Sequence, residues 1–211
     1  MKNTLLVTLI ILAVCAFGTS AEAAFMNIGF ESNDFSHWDF GGDPDTSGDL
    51  ENGERTVLNG IEAGSDYGDY YAQVNGGAAD SWLTISQTAT LDAGTVLNGA
   101  VKFDYNDLVW QEVTGAPIKG MDALQVTITG ETEPLYAIDS ASTDWVYWTW
   151  TAPSDGTYTL TYAVMNQGDN QVPSYGFFDT TQTLPVPEPA SLVLLGTGLL
   201  GLAGFRRKER I

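Results

Sequence analysis

The sequence predicts an all-β fold for residues 24–184, an antiparallel β-sandwich with a jelly roll as the expected topology. Apolar and polar residues alternate with a period of two in several segments, which indicates strands with one buried face. Asn, Asp and Gly clusters that favour turns separate these segments at intervals of roughly ten residues. No stretch of this range has the period of an amphipathic helix. Short strands without intervening helices favour two packed antiparallel sheets.

Five segments have the strand pattern most clearly: 82–88, 100–105, 124–129, 145–151 and 157–164. The segment 157–164 places four apolar side chains on one face: Tyr158, Leu160, Tyr162 and Val164. The segment 145–151 divides its aromatic residues between two faces, with Trp148 and Trp150 opposite Trp145 and Tyr147. One of these faces must lie in the core, so the other is partly exposed. Turns are expected at 59–60, 75–77, 98–99, 129–130 and 154–156.

Residues 1–23 have the order of a secretory signal peptide, with basic Lys2, an apolar run over 5–17 and small residues at 21–23. Cleavage is expected after Ala23. An uncleaved membrane helix is disfavoured, because the apolar run is shorter than the ~20 residues that span a bilayer. The only cysteine, Cys15, lies in this segment. The exported protein is therefore expected to have no disulfide.

The other end, residues 185–211, has the layout of a membrane anchor. A stiff proline-rich stretch is followed by an uncharged segment at about 190–205 and a basic tail at 206–211. The uncharged segment predicts a short transmembrane helix, with the basic tail on the cytoplasmic side and the body outside. A plain tail anchor is the simplest interpretation of this layout.

The three parts in this order resemble the PEP-CTERM sorting signal. The resemblance rests on a proline-rich motif and a basic cluster, formed by Val186, Pro187, Glu188, Pro189, Arg206, Arg207 and Lys208. It implies that an exosortase-type membrane enzyme is a partner, and that the tail is held in the inner membrane and cut near the motif. It also implies transfer of the body to the cell surface or an exopolysaccharide matrix.

The body between these signals is strongly acidic. Residues 24–184 contain three basic residues, Arg55, Lys102 and Lys119, against 24 Asp and Glu, a net charge of −21. Such a body repels phosphate backbones, so nucleic acid is not an expected partner. Cations such as calcium are the natural partners of so many carboxylates. The aromatic content and the periodic apolar runs argue against disorder.

The opening segment 27–38, Asn-Ile-Gly-Phe-Glu-Ser-Asn-Asp-Phe-Ser-His-Trp, resembles the first strand of jelly rolls like those of carbohydrate-binding modules. The segment 175–179 is similar to their closing strand, although Thr180 and Thr181 follow it where the family has an acidic or amide residue and a valine. The resemblance implies that the first and last strands lie together. It also implies a structural calcium ion held by Glu31 and Asp179.

A second candidate calcium site lies in the loop 43–54, which fits the twelve-position EF-hand pattern. Its oxygen ligands would include Asp43, Asp45, Ser47, Asp49 and Glu54, with the required glycine at Gly48. No helix precedes the loop, Pro44 stands at its second position and Arg55 follows it. We therefore consider a calcium-binding β-loop here alongside a solvated acidic loop.

Catalytic motifs are scarce, and no enzymatic activity is expected. His37 is the only histidine in the chain, which excludes metal sites built on several histidines. No Gly-x-Ser-x-Gly elbow accompanies it. With 24 carboxylates in the body, no chosen pair is evidence for glycoside hydrolysis.

Several aromatic residues stand beside Asp, Asn or Gln, a combination suited to stacking on and hydrogen-bonding sugar rings: Tyr67, Tyr70, Tyr71, Trp110, Trp145 and Tyr147. Trp110, Trp145 and Tyr147 are the candidate glycan-binding residues, although rings in a sandwich usually belong to the core. We expect a structural or adhesive surface protein in an exopolysaccharide or biofilm matrix. A glycan-binding module is the first alternative, and an uncharacterised hydrolase is the second. Exposed rings on one sheet would favour glycan binding.

Overall fold

A computed structural model describes residues 24–42, 53–60, 63–64, 66–104, 122–139, 143–167 and 174–185. These residues form ten strands and no helix. The strands are β1 (Asp39–Gly41), β2 (Arg55–Asn59), β3 (Tyr70–Asn75), β4 (Ser81–Leu91), β5 (Val96–Asp104), β6 (Ala123–Ile128), β7 (Tyr136–Asp139), β8 (Val146–Thr151), β9 (Gly156–Asn166) and β10 (Tyr175–Thr183). The predicted signal peptide and transmembrane helix lie outside the described residues.

The strands form two five-stranded sheets that pack as a sandwich. Sheet A has the order β1-β4-β9-β6-β7, and sheet B has the order β2-β3-β10-β5-β8. Neighbouring strands are antiparallel in both sheets. The prediction of an all-β jelly-roll sandwich is confirmed.

The core between the sheets comes from the alternating positions that the sequence predicts. On β9, Tyr158, Leu160, Tyr162 and Val164 are all buried. On β8, Trp148 and Trp150 are buried and Tyr147 is exposed, so the predicted division of its rings between two faces is confirmed. β4 and β9 pair along all eleven residues of each strand, which is the longest pairing in sheet A.

The opening segment 24–38 lies beside the last strand, as its resemblance implies, but it forms turns instead of a strand. Asn27, Phe30, Asn33 and His37 all have positive φ angles, a conformation that is incompatible with strand pairing. The main-chain N–H of Phe25 donates to Gln182 Oε1 of β10 (3.0 Å). The segment thus joins β4 and β10 through hydrogen bonds with Gln87 and Gln182 and not by adding a strand.

A column of four stacked rings anchors this segment in the core. Phe30 stacks on Trp38 (centroids 5.0 Å apart), Trp38 on Tyr162 of β9 (5.5 Å), and Tyr162 on Phe178 of β10 (4.5 Å). The column therefore joins the opening segment to both sheets. The core side chains of the described residues come from positions 25–178, so residues 24–185 contain the described core.

The prediction of a turn at 98–99 is wrong, because both residues lie within β5. Gly99 pairs with Trp148 of β8, and a Cβ on Gly99 would overlap the indole ring of Trp148. The glycine is needed for space beside a bulky neighbour and not for a turn.

Replacing Gly99 with alanine is therefore expected to lower the free energy of unfolding by about 1–3 kcal/mol, the usual cost of overpacking a core. Chemical denaturation of residues 24–185 would measure the loss. Asn98→Ala is the matched control on the same strand, since it removes only a hydrogen bond from Thr149 at the surface. An equal loss in the two variants would contradict the steric explanation.

No helix in the described part of the chain is long and apolar enough to span a membrane.

Candidate functional site

The outward surface of sheet B carries a group of aromatic side chains, which we call the aromatic face: Tyr67, Tyr71, Trp145, Tyr147 and Phe177. Because side chains alternate along a strand, burial of Trp148 places Tyr147 on the opposite, outward side of β8. Burial of Ala72 on β3 and Phe178 on β10 likewise turns Tyr71 and Phe177 outward. Trp145 immediately precedes β8, and Tyr67 lies in the loop before β3.

The rings meet one another across the sheet. Tyr67 and Tyr147 have centroids 5.7 Å apart, and Tyr71 lies edge-on to both Trp145 (5.6 Å) and Phe177 (6.1 Å). Ala100 of β5 pairs with Tyr147 on one side and with Asp179 on the other. The outward side chains of Tyr147 and Asp179 therefore flank the small side chain of Ala100.

Exposure differs sharply among these rings. Tyr147 is 58% exposed, whereas Tyr71 is only 6% exposed. Tyr67, Trp145 and Phe177 are half-buried. Two of the sequence candidates, Trp145 and Tyr147, therefore lie together on the aromatic face. Tyr70 does not belong to it, because it packs against the core between the sheets.

Polar groups hold the rings in place and leave one donor without a partner. The hydroxyl of Tyr147 donates to the carbonyl of Ala63 (3.2 Å), and that of Tyr67 donates to the carbonyl of Gly99 (3.4 Å). The Nε1 atom of Trp145 is buried and has no hydrogen-bond partner. The ammonium group of Lys102 lies over the ring of Phe177, 5.2 Å from its centroid. The face is thus built of oriented rings with few polar groups.

The candidate calcium ligands Glu31 and Asp179 lie at the Tyr67 end of this face. Glu31 Oε1 accepts hydrogen bonds from the main-chain N–H groups of Asp69 (3.0 Å) and Tyr70 (3.1 Å). Asp179 is 1% exposed, and its Oδ1 accepts from the N–H of Thr180 (2.7 Å). The structure therefore brings the opening segment and the last strand together at these carboxylates, as the sequence resemblance implies.

The pKa of Asp179 is raised to about 8, chiefly because the carboxyl group is buried. The hydrogen bond from the N–H of Thr180 lowers this pKa, and the charge of Glu31 raises it. Burial also raises the pKa of Tyr67, and the nearby charges of Tyr147 and Asp179 add to that effect. The Asp179 carboxyl is thus held in a place that disfavours its charged form. Protonation or a bound cation would relieve this cost.

Two glycines lie close to the two carboxylates. A Cβ on Gly68 would overlap the Glu31 carboxylate, and one on Gly29 would lie 3.3 Å from Asp179 Oδ1 and 3.0 Å from the carbonyl oxygen of Thr180. The nearby atoms are oxygens, the donors that calcium prefers. The described residues contain no cluster of three or more His, Cys, Asp or Glu suited to a metal. A cation here would need main-chain carbonyls or water as additional ligands.

Most of the second calcium candidate lies outside the described residues, namely Asp43, Asp45, Ser47 and Asp49. Glu54 is described and exposed, and its main-chain carbonyl accepts from the N–H of Asn75 (2.9 Å). Trp110 and the sorting residues Val186, Pro187, Glu188, Pro189, Arg206, Arg207 and Lys208 are also outside the described residues. His37 is exposed.

Sequence reasoning missed Phe177 as a member of the aromatic face. Alternation on β10 places Phe177 opposite the core residue Phe178, so the period-two pattern contained the signal. The partners of Phe177 were not predictable, because Tyr71 and Lys102 are brought to it by pairing between strands distant in sequence.

Comparison with known proteins identifies the tail of the chain. Residues 185–208 match the PEP-CTERM protein-sorting motif, which confirms the resemblance predicted from the sequence. The motif indicates an exported protein with a C-terminal membrane-anchoring signal that is present before processing. A search of curated proteins finds no match.

Solved structures with a similar fold include several carbohydrate-binding modules. The structure of TmCBM61 in complex with beta-1,4-galactotriose is 19% identical, covers 76% of this chain and 98% of its own, and has a TM-score of 0.45. The CBM22-1-CBM22-2 tandem domain of Paenibacillus barcinonensis Xyn10C is 16% identical and has a TM-score of 0.41. The match covers 82% of this chain and 49% of the tandem domain. A CBM36-1 domain of a multidomain xylanase from the hindgut metagenome of Trinervitermes trinervoides is 12% identical, covers 71% and 100%, and has a TM-score of 0.33. These similarities concern the fold alone.

Proposed function

We propose that the chain is an exported surface or matrix protein that holds a glycan chain against the aromatic face. The observation that carries this proposal is the 58% exposed ring of Tyr147, which lies 5.7 Å from the half-buried ring of Tyr67. The half-buried ring of Trp145 is two residues away on the same outward side of the sheet. Sugars bind flat aromatic surfaces through their apolar C–H faces, and oriented rings lose little entropy on binding. The sequence alone favoured a structural or adhesive role, and the aromatic face supports the glycan-binding alternative.

The charge of the body favours a neutral glycan over an anionic one. Residues 24–184 have a net charge of −21, which repels uronate or sulfate groups on a polysaccharide. Only Lys102 offers a positive charge on the described part of the aromatic face, and its ammonium group lies over Phe177. Neutral hexose or pentose polymers are therefore the proposed ligands.

We propose that this role is one of binding and not of catalysis. Among the described carboxyl groups, Asp179 is the one with a raised pKa that lies beside the aromatic face, and it is only 1% exposed. A general acid must come within hydrogen-bond reach of the bond that it protonates. A buried Asp179 does not meet this condition for a glycan lying on the aromatic face.

The PEP-CTERM motif supports the delivery route that the sequence predicts. We propose that the tail holds the protein in the inner membrane until an exosortase-type enzyme releases the body to the cell surface or matrix. Glycan binding by the aromatic face would then retain the body in an exopolysaccharide layer.

Affinity electrophoresis of residues 24–185 through gels containing soluble β-glucan, xylan or galactan would test glycan binding, with alginate as the anionic comparison. We expect at least one neutral polymer to retard the protein and alginate to have no effect. Tyr147→Ala and Trp145→Ala should each weaken retention about 10-fold, or about 1.4 kcal/mol.

The matched control is Phe40→Ala, because Phe40 is 56% exposed but lies on β1 of the other sheet. This variant should be retarded as strongly as the unmodified protein. Equal loss in Phe40→Ala, or migration unaffected by every neutral polymer, would reject the aromatic face as a glycan site. A structural or adhesive role without a glycan ligand would then be the better explanation.

We also propose that Glu31 and Asp179 hold a structural calcium ion next to the aromatic face. The supporting observation is the buried Asp179 carboxyl group, which lies near the charge of Glu31 and main-chain carbonyl oxygens. Calcium would tie the opening segment to β10 in a chain whose only cysteine lies in the predicted signal peptide. The loop 43–54 is the alternative calcium site, and an Asp43→Ala variant distinguishes the two.

A further inference from the structure

Two tyrosines of the aromatic face, Tyr67 and Tyr147, are in direct ring contact. Their ring centroids lie 5.7 Å apart and their planes are inclined by 33°. Tyr147 belongs to β8, whereas Tyr67 lies in the loop before β3. The strands β10 and β5 lie between β3 and β8 in sheet B. A covalent bond between the two rings would therefore join segments that are distant both in the sequence and across the sheet.

Hydrogen bonds hold the two rings in this arrangement. The Tyr147 hydroxyl donates to the carbonyl oxygen of Ala63 (3.2 Å), which lies in the same loop as Tyr67. The Tyr67 hydroxyl donates to the carbonyl oxygen of Gly99 (3.4 Å), one residue from the position on β5 that pairs with Tyr147. Each tyrosine thus bonds to the main chain beside the other one. The orientation of both rings is set before any reaction between them.

The exposure of the two phenols suits oxidation of the pair. Tyr147 is 58% exposed, so a one-electron oxidant in solution can reach its ring. Tyr67 is half-buried beside it, and is therefore the phenol held nearest to a radical formed on Tyr147. The only cysteine, Cys15, lies in the predicted signal peptide, so the exported body has no thiol for a disulfide. Paired tyrosines offer such a body another route to a covalent link.

We propose that Tyr67 and Tyr147 are a dityrosine cross-linking site, oxidised by hydrogen peroxide with a peroxidase-type one-electron catalyst. Each phenol loses one electron and its hydroxyl proton to become a tyrosyl radical. A carbon–carbon bond then forms between ring carbons ortho to the two oxygens, and the hydrogens on those carbons move to the oxygens to restore both hydroxyls. The O–O bond of one peroxide breaks, and the electrons and protons taken from the phenols convert it to two waters. The linked protein is lighter by two hydrogen atoms.

The cross-link would tie the loop before β3 to β8 across sheet B. A cross-link stabilises a protein mainly by restricting its unfolded chain, and it does so more strongly when the enclosed segment is long. We expect the oxidised protein to unfold at a temperature roughly 5–15 °C above that of the untreated protein. This effect does not depend on glycan binding.

Oxidation of the full-length chain, purified in detergent, by hydrogen peroxide and a haem peroxidase tests the site. At low protein concentration we expect a monomer with dityrosine fluorescence. Mass spectrometry of its digest should show the Tyr67 peptide joined to the Tyr147 peptide with the loss of two hydrogens. Tyr67→Phe and Tyr147→Phe keep the rings but cannot form the phenoxyl radical, and each should lower the dityrosine yield at least ~10-fold. Tyr136→Phe is the matched control, because it removes a half-buried phenol on β7 of the other sheet. It should cross-link like the unmodified chain.

Thermal unfolding of each variant before oxidation confirms that the fold is retained. Unfolding the unmodified chain in urea before oxidation should remove the preference for this pair, because the fold holds the rings together. Dityrosine that forms only between two chains, or oxidation that stops at Trp145 without a link, would overturn the proposal. Equal yields from Tyr136→Phe and Tyr147→Phe would overturn it too, since the reaction would then not need this pair.

Discussion

Replacing Phe30 with alanine is expected to lower the free energy of unfolding by about 3–5 kcal/mol, the usual cost of removing a buried phenylalanine ring. Phe30 is fully buried and forms the outer end of the ring column that runs through Trp38 and Tyr162. Its loss leaves a cavity and weakens the hold of the opening segment on both sheets. Chemical denaturation of residues 24–185 measures this effect.

Met26→Ala is the matched control for Phe30→Ala. Met26 lies in the same segment but is 57% exposed, so its replacement should cost well under ~1 kcal/mol. If Phe30→Ala were no more destabilising than Met26→Ala, the opening segment would not be part of the cooperative fold.

The second large effect is a dependence of stability on pH that comes from Asp179. Its pKa in the folded protein is about 8, well above the ordinary value of 3.8 that applies to the unfolded chain. Between these values the folded state retains a proton that the unfolded chain has released. The contribution of Asp179 to stability is therefore full below about pH 4 and is lost as the pH rises toward 8. The slope reaches at most about 1.4 kcal/mol per pH unit.

Asp179→Asn keeps the shape of the side chain and removes its titration. In a buffer with chelator, the free energy of unfolding of the unmodified protein should fall relative to Asp179→Asn as pH rises from 4 to 8. Measuring the difference cancels the other carboxyl groups, such as Asp34, whose pKa is lowered to about 2 chiefly by its hydrogen bond from Ser32. Parallel curves for the two proteins would contradict the raised pKa.

Adding calcium at pH 8 separates protonation from metal binding. If Glu31 and Asp179 hold calcium, the ion favours the charged carboxyl and should restore the stability of the unmodified protein but not of Asp179→Asn. Stabilisation that survives in Asp179→Asn and disappears in Asp43→Ala would assign the ion to the loop 43–54 instead. A calcium effect no larger than that of matched ionic strength would reject both sites.

The sequence was sufficient to predict features that depend on a single strand. Alternation along residues 145–151 separates Trp148 from Tyr147, and alternation along 157–164 identifies the core face of β9, because the side-chain period of a strand is a local property. The resemblance of the chain ends also predicted that Glu31 and Asp179 lie together. The tail was predictable for a different reason, since a sorting motif is a short continuous segment.

Features that depend on which strands are neighbours could not be predicted. The aromatic face needs Tyr71, Phe177 and Trp145, which are more than thirty residues apart from one another and meet only through strand order. Thr88 and Thr159 likewise face each other only through the pairing of β4 with β9. The turn at Gly99 was predicted wrongly because the residue that requires a glycine there, Trp148, lies on another strand.

Nuclear magnetic resonance gives a direct test of whether the aromatic face binds a neutral glycan. Isotope-labelled residues 24–185 would be titrated with oligosaccharides prepared from the neutral polymer that retards the protein most. We expect the largest shifts at the Trp145 indole N–H and at the amides of Ala100 and Tyr147, which are paired residues of β5 and β8. Saturable binding with its largest shifts on β4 and β9, or no binding by any of the neutral oligosaccharides, would contradict it.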